Sequence, residues 1–441
     1  MKPSRVIAFL LFPYHLSAQT GPSYKFDFGP GKVEKGYTQV LPGAVYSDAT
    51  GYGFYGNAPV EGVDRKGKDA LRTDYCTSRQ PFFFTVKLPE GNYRVKIITG
   101  DEQGHSSATV KAECRRLMVE KVETGKGQFK TSLFTVHVRD TLIRTTGQQV
   151  RIKARERNFL HWDNQLTLEF NNAAPKICAV EIKPAADLTT VFLAGNSTVV
   201  DQAEEPWAAW GQMLPVFFNP QKIVVANYAE SGESMSSFLA ERRLEKVMSL
   251  LKAGDYVFVE FAHNDQKQKG EGIGAFTSYK RDLKFTISEV KKKGGIPVLV
   301  TSMNRRSFDS SGHITNTLAG YPEAMRQTAQ EEQVALIDLN KMSKLLYEAW
   351  GPEKSIRAFV HYPAGTFPGQ DKELKDDTHF NSYGAYEIAR CVVKGIRAGV
   401  PALAVYLKKE IPQFDPARPD ALESWQLPAS PFVATKKPDG N

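Results

Sequence analysis

The chain has 441 residues, of which 41% are apolar and 24% charged, and its formal net charge is +8. This balance is typical of globular proteins and excludes a chain that is disordered throughout, and the length predicts two or three domains. No Lys- and Arg-rich run typical of nucleic-acid binding occurs, and no segment after the N-terminus approaches the roughly 18 apolar residues that span a bilayer. We therefore expect neither a nucleic-acid nor a membrane partner. The positive surplus serves solubility or attracts a polyanion such as an acidic polysaccharide.

The first 20 residues have the pattern of an export signal. Lys2 and Arg5 precede a short apolar stretch at 6–12, and small residues at 16–18 offer a cleavage site. A membrane anchor is the alternative, but the apolar stretch is too short to span a bilayer. We therefore predict a signal peptide at 1–20 and a secreted or periplasmic protein.

The cysteines are four in number. Export would permit disulfides, and Cys76 with Cys114 is the favoured pair because both lie in one predicted domain. No CxxC pair occurs, so no zinc or redox site is predicted and no metal is expected. Cys391 lies in an apolar helical stretch and is expected to be a buried free thiol.

Residues 22–185 read as an all-β domain. Short stretches of alternating or apolar residues are separated by turns rich in Gly, Asn and Asp, and helical periodicity is nearly absent. Strands at this spacing predict an antiparallel β-sandwich. The predicted strands include 82–88, 93–98, 133–138 and 166–170.

Residues 188–410 change to an alternation of strands and helices. Nearly continuous apolar strands between amphipathic helices predict a parallel sheet covered on both faces, with ligands at the carboxyl ends of the strands. The predicted strands are 190–194, 223–226, 256–261, 296–301 and 334–338, and the predicted helices are 234–252, 278–293, 340–350 and 383–398. The Pro-rich tail at 411–441 is interpreted as either an ordered wrap or a loose tail, without function.

Three short polar motifs follow the first three of these strands. They are Gly195-Asn196-Ser197, the segment around Gly232, and Ala262-His263-Asn264-Asp265. Each alone is also explained by turn and capping chemistry, because Gly and Ser are common there for structural reasons. Ser197 is nevertheless placed as a nucleophile should be, and the Asn264 amide can donate to an oxyanion.

A fourth motif precedes the last helix. Asp376 lies three residues before His379, and on one loop its carboxylate could fold back to bind the imidazole Nδ1. That contact would fix the tautomer and leave Nε2 free as a base.

The four motifs in this order resemble the SGNH (GDSL-like) hydrolase superfamily over about residues 188–400. The resemblance implies an α/β, flavodoxin-like three-layer fold with a parallel sheet, preceded here by the all-β sandwich. It implies Ser197 as nucleophile, His379 as base and Asp376 as its orienter, with Ser197, Gly232 and Asn264 forming the oxyanion hole. Asn196 and Ala262 depart from the family's usual Asp and Gly, which affects loop rigidity more than mechanism.

Several stretches resemble the rhamnogalacturonan acetylesterase family more closely. They are Ala194 to Gln202, Trp207 to Gln212, Glu260 to Asp265 and Asp377 to Asn381. The segments 25–31 and 51–54 are similar to the galactose-binding-like domain found ahead of bacterial members. The resemblance implies a serine esterase, without a cofactor, that removes acetyl groups from an acidic polysaccharide (pectin) or its oligosaccharides.

Three further residues are candidates for substrate binding. Trp207 could stack on a sugar face, with a core position as the alternative reading, and His263 and His361 lie close to the motifs. Other functions stay open. They are a lipase or another SGNH esterase, an esterase of acetylated xylan, and a non-catalytic carbohydrate-binding protein.

Overall fold

The computed structural model describes residues 21–438. The predicted signal peptide at 1–20 therefore lies outside the described residues. Across 21–438, no helix is long and apolar enough to cross a membrane.

The N-terminal part consists of two β-sheets packed face to face. One sheet has the order β10-β7-β14-β1-β2 with β5 and β4 added beside β14, and the other has the order β3-β6-β13-β8-β9. Alternation along the strands builds the core: in β7, Tyr93, Val95 and Ile97 are buried, whereas Arg94 and Lys96 are only half-buried. The strands are β1 Tyr24–Phe28, β2 Thr38–Val40, β3 Tyr52–Tyr55, β4 Glu61–Asp64, β5 Asp74–Thr77, β6 Phe82–Lys87, β7 Gly91–Asp101, β8 Ser106–Ala112, β9 Arg116–Thr124, β10 Gln128–Val138, β11 Leu142–Ile143, β12 Gln148–Gln149, β13 Gln165–Ala174 and β14 Lys176–Pro184.

The second part is built on a five-stranded sheet in which all strands run parallel. Its order is β16-β15-β17-β18-β19, the doubly wound order of flavodoxin-like folds, which confirms the predicted fold class. Apolar clusters cover both faces: Val191 and Leu193 point to one, and Phe192 and Ala194 to the other. The strands are β15 Thr189–Gly195, β16 Ile223–Asn227, β17 Tyr256–Glu260, β18 Ile296–Val300, β19 Ala335–Ile337, β20 Phe359–Tyr362 and β21 Leu374–Phe380, and the helices are α1 Trp210–Met213, α2 Met235–Ala240, α3 Arg243–Leu250, α4 Lys280–Lys292, α5 Tyr321–Glu331, α6 Leu339–Lys354, α7 Ser382–Gly399 and α8 Pro401–Ala404.

The structure corrects the single helix predicted at 234–252. It is broken into α2 and α3, because Arg242 between them adopts a left-handed φ of 63°. The break lets buried cations of α3 reach the N-terminal part: Arg243 Nη2 lies 2.5 Å from Glu156 Oε2, and Lys246 Nζ lies 2.5 Å from Glu90 Oε1.

The described part of the C-terminal tail, residues 411–438, wraps over the junction of the two parts. Ser430 Oγ donates to Glu169 Oε2 of β13 at 2.6 Å, and Ser430 N donates to Glu205 Oε1 at 3.0 Å. Trp425 stacks on Tyr386 of α7, with ring centroids 4.1 Å apart. Of the two interpretations that the sequence left open, an ordered wrap and a loose tail, the structure supports the ordered wrap.

The expected disulfide between Cys76 and Cys114 is wrong. Cys76 lies on β5 of one sheet and Cys114 follows β8 in the other, and both are buried free thiols. Cys391 is a buried free thiol on α7, as predicted.

Candidate active site

Ser197 lies in a tight turn directly after β15. Val199 N and Val200 N both donate to Asn196 O, and the Asn196 side chain accepts from Thr198 N at 3.1 Å. A Cβ on Gly195 would lie 2.5 Å from Val199 Cγ2, so the turn closes tightly only with glycine there. The next helix along the chain, α1, begins only at Trp210, so Ser197 does not lie at the N-terminus of a helix.

Ser197, His379 and Asp376 form a chain of hydrogen bonds. His379 Nε2 lies 2.8 Å from Ser197 Oγ, and His379 Nδ1 lies 2.6 Å from Asp376 Oδ2. All three side chains are buried. This arrangement can hold the imidazole in one tautomer with Nε2 directed at the serine.

The Asp376–His379 segment lies in β21 and not in an open loop. Phe359 of β20 pairs with Phe380, and the next residue, Val360, pairs with Asp376, so residues 377–379 bulge out of the hairpin. A bulge re-aims side chains and recurs beside active sites. Here it turns His379 toward Ser197.

The Asp376 carboxylate is held as an anion. Burial opposes the charge, but the hydrogen bond and charge of His379 outweigh it, with help from Thr378 N and the Trp207 indole. Together they hold the pKa of Asp376 well below its usual range.

The Trp207 indole contributes a hydrogen bond to this carboxylate. It is only 2% exposed, and its Nε1 donates to Asp376 Oδ2 at 3.2 Å. This burial favours the core position that the sequence left as the alternative, and a role of Trp207 in substrate binding stays a prediction.

The loops that carry Gly232 and Asn264 meet beside Ser197. Glu230 N donates to Gly195 O at 3.1 Å, which places the loop after β16 against the end of β15. Asn264 Nδ2 donates to Glu233 O at 3.0 Å, next to Gly232. Gly232 has a φ of 83°, a left-handed conformation that glycine adopts without strain.

His263 and His361 lie in different surroundings. His263 is completely buried, and burial, followed by the charges of Arg305 and His379, lowers its pKa well below the usual range. His263 is thus a buried, neutral residue of the core, and a contact with substrate stays a prediction. The half-buried His361 has Nε2 2.9 Å from Asp377 Oδ1, and a role in substrate binding stays a prediction.

Comparison with known proteins shows to which family this chain belongs. A family model described as GDSL-like Lipase/Acylhydrolase matches residues 185–385, and one described as Beta-agarase/YXIM esterase-like, galactose-binding domain-like matches residues 24–148. Rhamnogalacturonan acetylesterase RhgT of Bacillus subtilis is 41% identical over 214 residues, which cover 48% of this chain and 91% of that protein. The chain belongs to the GDSL-like lipase/acylhydrolase family. It is a carboxylic-ester hydrolase.

Two other relatives of this GDSL-like hydrolase come from Bacillus subtilis. The uncharacterized esterase YxiM is 28% identical over 383 residues, 85% of this chain and 90% of that protein. The probable rhamnogalacturonan acetylesterase YesY is 34% identical over 223 residues, 50% of this chain and 98% of that protein. The YxiM match spans both the β-sandwich and the hydrolase part.

The β-sandwich part contributes side chains that the sequence did not reveal. Lys153 Nζ lies 2.6 Å from Glu233 Oε1, and Arg155 Nη2 lies 2.6 Å from Glu230 Oε1 and 2.9 Å from Ser231 O. Two cations of the β-sandwich part therefore hold the Gly232 loop, which belongs to the parallel-sheet part of this GDSL-like hydrolase. The sequence also gave no sign of Gln202, whose Nε2 donates to Ser197 O at 2.7 Å.

One group of side chains has metal-ligand spacing in the part of the chain that the structure describes. Ligand atoms of Glu156, His161 and Glu230 all lie within 4.8 Å of one another. Arg243 contacts both oxygens of Glu156, at 3.1 and 2.5 Å, and Arg155 binds Glu230. The carboxylates are thus already compensated by cations, which disfavours a metal ion there.

Glu260, at the end of β17, is a buried acid close to Ser197. Trp210 Nε1 donates to its Oε2 at 2.6 Å, and Thr198 Oγ1 lies 3.0 Å from its Oε1. Burial raises the pKa of Glu260 to about 7, although these hydrogen bonds oppose the shift. The folded protein therefore favours the protonated acid.

This raised pKa predicts a pH dependence of stability. Because the folded pKa lies above the ordinary glutamate value of 4.5, the stability contributed by the protonated Glu260 is fully present below pH 4.5 and is lost as pH rises through about 7. From pH 5 to pH 8, the unfolding free energy of the parent should fall by about 3 kcal/mol relative to that of Glu260→Gln. Urea unfolding at both pH values measures this, with the exposed Glu353→Gln as matched control. Equal pH slopes for parent and Glu260→Gln would refute the assignment.

Proposed function

We propose that this hydrolase removes acetyl groups from acetylated rhamnogalacturonan, the acidic pectic polysaccharide, or from its oligosaccharides. The hydrogen-bond chain Ser197–His379–Asp376 carries the proposal, because it supplies a nucleophile, a base and an orienting carboxylate for acyl transfer. The 41% identity to RhgT, whose name gives rhamnogalacturonan as the substrate, supports the choice of polymer. Export of the protein to this polymer, through residues 1–20, is part of the proposal.

In the first half-reaction, Ser197 Oγ attacks the acetyl carbonyl carbon while His379 Nε2 takes the hydroxyl proton. The oxyanion is held by the N–H groups of Ser197 and Gly232 and by the Asn264 amide. The C–O bond to the sugar then breaks, and the sugar oxygen leaves with the proton from His379. Asp376 stays ionised and stabilises the imidazolium.

In the second half-reaction, water attacks the acetyl group on Ser197. His379 accepts a proton from the water and returns one to Ser197 Oγ as acetic acid leaves. The Gly232 loop has to keep its position through both steps, and Lys153 and Arg155 of the β-sandwich part hold it there.

The test is acetate release from acetylated rhamnogalacturonan, with acetylated xylan and p-nitrophenyl octanoate as competing substrates. We expect the highest kcat/KM on the pectic polymer and loss of release in Ser197→Ala. Equal release from xylan would remove the pectin assignment. A preference for octanoate would favour a lipase, and binding to the polymer without release would favour a carbohydrate-binding protein.

A further inference from the structure

Two cavities adjoin each other where the β-sandwich part meets the hydrolase part. The smaller has a volume of about 120 Å³ and the larger about 320 Å³, and Phe159 and Glu204 line both. The wall of the larger cavity also includes Tyr55 of the sandwich and Phe432 of the C-terminal tail. Three separate segments of the chain therefore enclose one space beside the loop that follows the Ser197 turn.

The smaller cavity lies against the candidate active site. Gln202 and Ser231 line it, and Gln202 Nε2 donates to Ser197 O at 2.7 Å and to Ser231 Oγ at 3.5 Å. Ser231 directly precedes Gly232, the oxyanion-hole candidate. The wall of this cavity therefore contacts the nucleophile turn and belongs in part to the oxyanion loop. A sugar chain can continue from there into the larger cavity.

The larger cavity is rich in aromatic rings. Phe83 is almost buried, with its ring centroid 5.3 Å from that of Phe432, whereas Tyr55 and Phe432 keep 43% and 38% of their surface exposed. Phe159 is half-buried in the same wall. Exposed ring faces can pack against the apolar C–H face of a sugar. The volume of this cavity also lies within the range of about 300–1,000 Å³ found for small-molecule sites.

The tail forms one wall of the larger cavity through ordered backbone contacts. Glu205 N donates to Phe432 O at 2.8 Å, and Ala434 N donates to Glu205 O at 2.8 Å. These two hydrogen bonds tie the tail to the loop after the Ser197 turn. The ring of Phe432 is therefore in place before a ligand binds, which lowers the entropic cost of binding.

The charges in the wall of the larger cavity favour a neutral ligand. Arg115 Nη2 lies 2.5 Å from Glu205 Oε2, and Arg155 Nη2 lies 2.6 Å from Glu230 Oε1. Both arginines belong to this wall but are paired with acids outside it, so neither is available to a uronate. The half-buried Glu204 of the wall would repel a uronate, and its carboxylate can accept hydrogen bonds from the hydroxyl groups of a neutral sugar.

We propose that Tyr55, Phe159 and Phe432 form a subsite that binds a neutral 6-deoxy sugar of the polymer, next to the acetylated sugar at Ser197. The proposal rests on the proposed function, since rhamnose, the neutral sugar of rhamnogalacturonan, is a 6-deoxy sugar. Its methyl group suits the apolar part of the wall, which includes Phe83. The β-sandwich part thus takes a direct part in substrate binding.

The experiment compares inhibitors of two lengths. A disaccharide and a hexasaccharide of rhamnogalacturonan without acetyl groups are tested as competitive inhibitors of p-nitrophenyl acetate hydrolysis by the full chain. We expect the hexasaccharide to inhibit about tenfold more strongly, because it reaches past the candidate active site into the larger cavity. Tyr55→Ala and Phe159→Ala should each reduce this ratio about fivefold, since each removes apolar surface that the sugar covers. Oligosaccharides of galacturonate alone should gain less from the same increase in length.

Phe285→Ala is the matched control, because it removes a 51% exposed ring on α4 that lines neither cavity. It should keep the parent's ratio, and so should Tyr55→Phe, which keeps the ring. The ratio is taken within each variant, so a change in basal turnover does not affect it. Equal inhibition by the two lengths, an unchanged ratio in both alanine variants, or an equal gain for galacturonate alone would overturn the subsite. Absence of acetate release from the acetylated polymer would instead overturn the proposed function.

Discussion

Replacing Asp376 with asparagine is expected to lower kcat about 10⁴-fold. Asp376 Oδ1 accepts from Thr378 N and His379 N, so an amide would place its oxygen there and its NH₂ group against His379 Nδ1. Nδ1 would then have to accept a hydrogen bond, and Nε2 would carry the proton. The imidazole could no longer take the proton of Ser197, although the geometry of the site is kept.

The neighbouring Asp377 gives the matched control. Its carboxylate is 48% exposed and binds Arg306 and His361, away from His379. Steady-state hydrolysis of p-nitrophenyl acetate should therefore be largely unchanged in Asp377→Asn. If Asp376→Asn retained more than about a tenth of the parent's kcat, Asp376 would not be the residue that orients the base.

Replacing Arg116 with methionine is expected to reduce the free energy of unfolding by about 3–5 kcal/mol. Arg116 begins β9 of the sandwich, and its Nη2 lies 2.8 Å from Asp201 Oδ2, which follows the Ser197 turn. Both side chains are almost completely buried. Removing the guanidinium would leave the Asp201 charge desolvated, with Asn227 Nδ2 as a close donor at 2.8 Å.

Urea unfolding of three variants separates this effect from lost packing. Arg116→Met with Asp201→Asn should recover most of the stability, because no uncompensated charge then stays buried. Arg357→Met breaks the exposed ion pair with Glu423 and should change the free energy of unfolding little. Equal stability of Arg116→Met and the parent would show that this pair does not tie the two parts together.

The sheet and the candidate nucleophile could be predicted because their signals are local. Strands such as 256–261 are nearly continuous apolar runs, which is typical of a parallel sheet buried on both faces. Ser197, Gly232 and Asn264 follow the ends of three such strands, and parallel strands bring their carboxyl ends to one edge. The order of the motifs was therefore enough to expect these loops to meet.

Features that depend on docking between distant segments could not be predicted. Arg155 binds Glu230 across 75 residues, and no local pattern announces such a pair. The hydrogen bond from Trp207 to Asp376 could not be predicted for the same reason, because the two residues lie 169 positions apart. The break between α2 and α3 occurs at Arg242 in a left-handed conformation, without the glycine that usually signals one.

The measurement that tests the central claim most directly is detection of an acetyl group on Ser197. The parent protein is mixed with acetylated oligosaccharide, quenched with acid within milliseconds, digested, and analysed by mass spectrometry. We predict that the peptide containing Ser197 carries one acetyl group during turnover and loses it once substrate is exhausted. Full turnover with no acetyl group on this peptide, together with retained activity in Ser197→Ala, would contradict the account.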